Sequence, residues 1–241
     1  ERVWRRSWGR DGLAQGLLCF QSSGEHKPGS KYFDGAKCFP REDPHTDRGI
    51  NIIANFLDEF KASGLTCIDE NIAQWLNDSK SKLPEGLALW IPPNETIQEV
   101  LNKTEQIEAA RNVGFSVLQT FQFSGKGTHA DIPHDSFPLC LRPSVPDSVT
   151  PPFKVHNCSS INDLKAFLEK RVIRESVVGQ PFKNLPNFVV HGTRTAKGEN
   201  LGMSGFIVRR KFQGVTLTLS HFLLDDALKA RCIAFTEAMN L

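Results

Sequence analysis

The sequence lacks any apolar run near the roughly 18 residues that a membrane-spanning helix needs, so a soluble chain with no membrane partner is expected. It has no Cys-x-x-Cys pair, which argues against a zinc ribbon or a thioredoxin-like site. It has little net charge, 29 Lys and Arg against 27 Asp and Glu, and its basic residues are dispersed without interleaved aromatics. Nucleic acid is therefore not an expected partner, and neither is an anionic membrane. The Gly-rich Ser124–Gly127 lacks Walker spacing and does not read as a phosphate loop. No internal repeat or low-complexity tract is evident. The chain opens on Glu1 rather than Met, and ERVWRRSW has no signal-peptide core. A processed product or a domain of something longer is expected, with this opening as a linker end or an arm.

What is present is the composition of an ordinary globular protein, 39% hydrophobic and 23% charged over 241 residues, enough for one large domain or two small ones. Six scattered cysteines and the Asn-x-Ser/Thr sites at Asn77, Asn94, Asn102 and Asn157 permit a secreted, disulfide-bonded protein. A chain of this size needs no such staples, and Cys232 falls on the apolar face of a helix, so reduced thiols are favoured.

Residues 1–48 are broken by Gly, Pro, Lys and Asp and predict an irregular N-terminal arm with a short strand near Leu17–Phe20. Residues 49–241 read as a core domain. Helices are predicted over Gly49–Ser63, with Ile50, Ile53, Ala54 and Leu57 on one side, and over Ile68–Ser79, capped by Asp69. Two more are predicted over Thr96–Asn112 and Ser160–Glu175. Strands are predicted over Gly86–Ile91, Phe115–Phe123, Pro138–Arg142, Pro152–Val155 and the hairpin Asn187–Gly192 with Gly205–Lys211. Helices interleaved with strands indicate an α/β or α+β layered domain.

The chain's last stretch is the most informative. Val215–Ser220 alternates as a half-buried strand does, His221 and Asp225 form a polar corner, and Leu228, Cys232, Phe235 and Met239 recur at helical spacing. Asp225 and Asp226 stand where carboxylates cap a helix. With Ala227, Ala230, Arg231 and Ile233 in register, this corner resembles the end of the chloramphenicol-acetyltransferase-like fold, and in particular the core domain of dihydrolipoyl acyltransferases. Ser220, Phe222 and Asp226 depart from that family's Asp, Arg and Gly, which makes the likeness nearest to its degenerate, protein X-like members.

The resemblance implies an α/β, two-layer sandwich of mixed sheet and flanking helices that forms homotrimers. It implies a structural core component of a 2-oxoacid (pyruvate) dehydrogenase complex in the mitochondrial matrix, with no bound cofactor. Its partners would be the dihydrolipoyl acyltransferase core and dihydrolipoamide dehydrogenase. The alternative within the family is an active acyltransferase using coenzyme A or a lipoyl thioester, with His221 as general base and Asp225 fixing the corner.

A second constellation, His129, Asp131 and the distant His191, resembles the facial triad of non-haem Fe(II), 2-oxoglutarate-dependent oxygenases. Arg209 lies within reach of that pattern, although the middle of the chain is too helical for a continuous double-stranded β-helix. The tripeptide His191-Gly192-Thr193 also occurs in ADP-ribosyltransferases, but the downstream pattern is absent.

Overall fold

A computed structural model describes residues 2–4, 16–21, 35–40, 45–59, 61–67, 69–124, 132–195, 197–212 and 215–241. The chain divides into two compact units, Glu1–Ile97 and Gln98–Leu241.

The first unit is built on a mixed sheet with the order β3-β2-β1-β4-β5. Its strands are β1 (Arg2–Trp4), β2 (Gly16–Gln21), β3 (Gly35–Pro40), β4 (Gly64–Cys67) and β5 (Ala88–Leu89). β2 and β3 run parallel, as do β4 and β5, whereas β1 is antiparallel to both of its neighbours. The expected strand near Leu17–Phe20 is therefore β2. Helix α1 (Asp47–Glu59) starts where Thr46 Oγ1 accepts from the Gly49 amide at 3.0 Å. Its residues Ile50, Ile53, Phe56 and Leu57 recur on one face and are buried. Helix α2 (Glu70–Asp78) is capped as expected by Asp69, whose carboxylate accepts from the amides of Asn71 and Ile72. Ile72 and Leu76 complete a core with the α1 residues, Leu65 and Leu83. A Cβ on Gly64 would lie 2.7 Å from the Trp90 ring, so glycine is what lets that indole lie against β4.

The expected helix Thr96–Asn112 is two helices, α3 (Asn94–Leu101) and α4 (Lys103–Asn112). Asn102 adopts an extended conformation and its side chain accepts from the Thr104 amide, so it ends one helix and caps the next. The sheet of the second unit has the order β6-β11-β7-β9 and is antiparallel throughout. Its strands are β6 (Phe121–Phe123), β7 (Leu139–Pro143), β9 (His156–Cys158) and β11 (Val177–Pro181), while β8 (Val149–Thr150) and β10 (Val172–Ile173) form a small separate ladder. Helix α5 (Ile161–Glu169), capped by Ser160, lays Leu164, Phe167 and Leu168 against Phe123, Leu139, Leu141, Cys158 and Val177. It is shorter than expected because Lys170 leaves the helix and two strands follow.

Alternation along β7 decides what the other face carries. Leu139 and Leu141 point into the α5 core, which leaves Cys140 and Arg142 on the opposite side. Val178 pairs with Arg142 and Gln180 with Cys140, so these two β11 residues share that opposite face.

The last element is an antiparallel meander of β12 (Phe188–Arg194), β13 (Asn200–Phe212) and β14 (Val215–Phe222), followed by α6 (Asp226–Ala238). The expected hairpin, strand, corner and helix are all found here. Arg194 pairs with Glu237 on α6 at 3.7 Å and also donates to the Leu241 carbonyl. Phe235 of α6 meets Phe115 edge-on at 6.4 Å, and Arg231 lies over the Phe115 ring. A single mixed sheet in a two-layer sandwich is not what these strands build. They separate into sheets of five, four, three and two strands, because β6 and β11 pair across the β7–α5 segment rather than with the meander.

Candidate anion-binding site

Thr120, Arg142 and Gln180 come from three neighbouring strands or their edges and meet beside the sheet face opposite α5. Arg142 donates through Nη2 to Gln180 Oε1 at 3.0 Å, and Gln180 donates through Nε2 to Thr120 Oγ1 at 3.0 Å. The Thr120 hydroxyl in turn donates to the Leu118 carbonyl at 2.9 Å. The Nε of Arg142 is buried and has no partner among the described residues. A guanidinium keeps its proton at any ordinary pH, so this donor cannot relieve itself by titration. A buried donor without an acceptor costs about 1–3 kcal/mol.

A second cation stands nearby. Lys103 opens α4, and its backbone amide donates to the Ser144 carbonyl at 2.8 Å, two residues past Arg142. The buried Ser144 is itself fixed, since its amide donates to the Ser176 carbonyl at 2.9 Å and its hydroxyl accepts from the Ser176 amide. The start of α4 is thereby tied to the end of β7. Burial, and secondarily the charge of Arg142, hold the Lys103 ammonium below the usual lysine pKa. Among the described residues no carboxylate forms an ion pair with Arg142 or Lys103. Two neighbouring cations, one with a buried idle donor, suit an anion such as phosphate or carboxylate. By contrast, the cleft of about 600 Å³ between α3, α4 and the end of the chain is walled by Glu99, Glu105 and Glu108, which would repel one.

The residues singled out from sequence lie elsewhere. Asp225 caps α6, accepting from the Leu228 amide at 2.7 Å. His221 is exposed on β14, and its ring meets Phe206 of β13 at 5.9 Å. His191, exposed on β12, meets the same Phe206 at 5.5 Å, so the two candidate histidines flank one phenylalanine on one face of the meander. His129 and Asp131 lie outside the described residues. Among the described residues no group of three or more His, Cys, Asp and Glu side chains is placed to hold a metal ion.

No family model and no curated protein matches the sequence. Solved structures do match it in three dimensions. An L-amino acid ligase from Bacillus licheniformis superposes with a TM-score of 0.57 at 15% identity, over 93% of this chain and 54% of that one. A biotin carboxylase from Campylobacter jejuni gives 0.64 at 13% identity, over 92% and 54%. An N5-carboxyaminoimidazole synthetase from Staphylococcus aureus gives 0.59 at 13%, over 92% and 56%. The fold is ATP-grasp. The chain spans little more than half the length of these ligases.

The ATP-grasp fold overturns the chloramphenicol-acetyltransferase-like sandwich and its trimer. With that fold go the protein X-like scaffold of a dehydrogenase complex, the coenzyme A-dependent acyltransferase with His221 as base, and the coenzyme A or lipoyl thioester. The Fe(II) oxygenase built on His129, Asp131 and His191 falls as well. The physical reason lies in the corner itself. A strand, a capped turn and a helix form one local unit that closes many sheets, so its residues report a cap and a helical spacing rather than the topology around them. Arg142, Lys103, Gln180 and Thr120 were missed from sequence. The one available signal was a basic residue on the outward side of the apolar strand Leu139–Pro143.

Proposed function

We propose that this chain acts as an ATP-dependent ligase or as part of one, with the nucleotide phosphates held by Arg142 and Lys103 on the four-stranded sheet. The observation that carries the reading is the buried, unpartnered Nε of Arg142 beside a second cation, with no carboxylate among the described residues paired to either. ATP fits that donor set. Its phosphates offer acceptors to the idle Nε and counter-charge to Lys103. The fold supports the same reading, since biotin carboxylase from Campylobacter jejuni was solved as a beta-gamma-ATP complex and D-alanine–D-alanine ligase from Bacillus anthracis with ATP. When bound, ATP supplies a phosphoryl group whose transfer activates a substrate for bond formation. The chain's own residues bind and orient. Arg142 reaches the anion from β7 with its position set across β11, and Lys103 approaches from the start of α4, which Ser144 ties to the same strand end.

The test is calorimetric titration of the purified chain with ATP and with ADP, beside Arg142→Met. Saturable binding that weakens about tenfold or more in the variant is expected. A folded wild-type chain that binds neither nucleotide at millimolar concentration would end the proposal.

A further inference from the structure

We infer that Gln180 and Thr120 are positioning residues, forming a one-way hydrogen-bond relay that aims the Arg142 guanidinium at its anion without neutralising it. The inference rests on the phosphate-binding role given to Arg142 above and adds what controls that residue.

The relay has a direction. Thr120 uses its only hydroxyl proton on the Leu118 carbonyl, so toward Gln180 it can only accept. Gln180 must therefore turn its NH2 group to Thr120 and its carbonyl oxygen to Arg142. A flipped amide would set its N–H donors against the guanidinium and its carbonyl oxygen against a hydroxyl with no proton left to donate. Arg142 is thus held by one terminal nitrogen while its Nε stays unpartnered. Glutamine suits this place because it offers an acceptor without a charge. A carboxylate there would form an ion pair with Arg142 and compete with any incoming phosphate. The pair also spans the sheet: Thr120 is 60 residues from Gln180, and Gln180 is 38 from Arg142, so the aim of the guanidinium depends on β6, β11 and β7 being correctly joined.

The experiment titrates the full chain with inorganic tripolyphosphate as probe, for wild type, Arg142→Met, Gln180→Met, Gln180→Glu, Thr120→Val and Thr120→Ser, with urea midpoints as a control for folding. Gln180→Met and Thr120→Val are each expected to raise Kd about five- to tenfold. Thr120→Ser, which keeps the hydroxyl, should stay within about twofold of wild type. Gln180→Glu should weaken binding and flatten its salt dependence, because one cation is quenched. Should Thr120→Val unfold, Gln180→Met still decides whether Arg142 is aimed through its neighbour. Wild-type affinity in Gln180→Met and Thr120→Val, with binding lost in Arg142→Met, would overturn the relay and leave the anion site standing. Wild-type affinity in Arg142→Met would overturn the site, and the relay with it.

Discussion

Arg142 donates to Gln180 across β7 and β11 at 3.0 Å, yet its Nε is buried without an acceptor. The same side chain is held firmly at one nitrogen and left unsatisfied at another. That combination costs stability in the free protein and is relieved by an anion, so stability and binding should respond in opposite directions when Arg142 is changed.

Replacing Arg142 with Met keeps the stem and removes the buried donor. The expected result is unchanged or slightly higher stability, by up to about 1 kcal/mol, together with the loss of nucleotide affinity. Urea unfolding and calorimetry on the same preparation check both. A variant that loses stability and affinity together would make Arg142 a structural residue.

Lys103 makes the site sensitive to alkali. Its folded pKa lies below the ordinary lysine value, held there by burial and then by Arg142. Between the folded and unfolded values the unfolded chain holds a proton that the folded chain has released, so this group's contribution to stability rises with pH across that window. Phosphate binding runs the other way, weakening as the ammonium is lost. Lys103→Arg, charged throughout, should remove the alkaline loss of affinity. Titrations from about pH 7 to about pH 10 measure it.

Cys158 is fully buried in the α5 core, and burial pushes its thiol up to about 12. It should resist alkylation at mildly alkaline pH while the half-buried Cys140 and Cys232 react first, with Cys158 modified only on unfolding. Because its folded value is raised, this thiol's contribution to stability is complete below 9.0 and is lost as pH rises toward about 12. Peptide mass mapping after timed iodoacetamide treatment distinguishes the thiols. Rapid labelling of Cys158 in the native chain would contradict its placement.

Asp225→Ala removes the cap of α6 and should cost about 1 kcal/mol. His221→Ala changes an exposed ring and should shift stability by no more than about 0.5 kcal/mol. Neither substitution should alter ATP affinity. A tenfold loss in His221→Ala would move the nucleotide onto the His191–Phe206–His221 face of the meander.

Much of the local structure was legible in the residues. Ile50, Ile53 and Leu57 along α1, the Asp69 cap, and the strand, corner and helix from Val215 to Met239 all follow from spacing and from what a short polar side chain does at a helix start. Asn102 was misread inside a continuous helix, since apolar periodicity on both sides outweighed the one side chain able to bond the backbone beyond it. Val177–Pro181 was not read as a strand. It is five residues long with a glycine at its centre, and Gly179 is there because a Cβ would lie 2.7 Å from the Phe123 ring, a reason visible only once β6 lies beside it.

The sequence by itself determined which faces of α1, α2 and α5 turn inward and where several helices begin, because those are relations between residues a few positions apart. Leu217 and Leu219 of β14 are exposed and α6 buries no residue, so their spacing did not foretell burial. The tertiary structure decided the fold and the candidate site. Sheet order is a choice among distant pairings that periodicity does not encode, and here it set β11 between β6 and β7. Only that choice brings a threonine, a glutamine and an arginine from separate stretches of chain into one hydrogen-bonded line, and gives a single arginine on an apolar strand its chemical meaning.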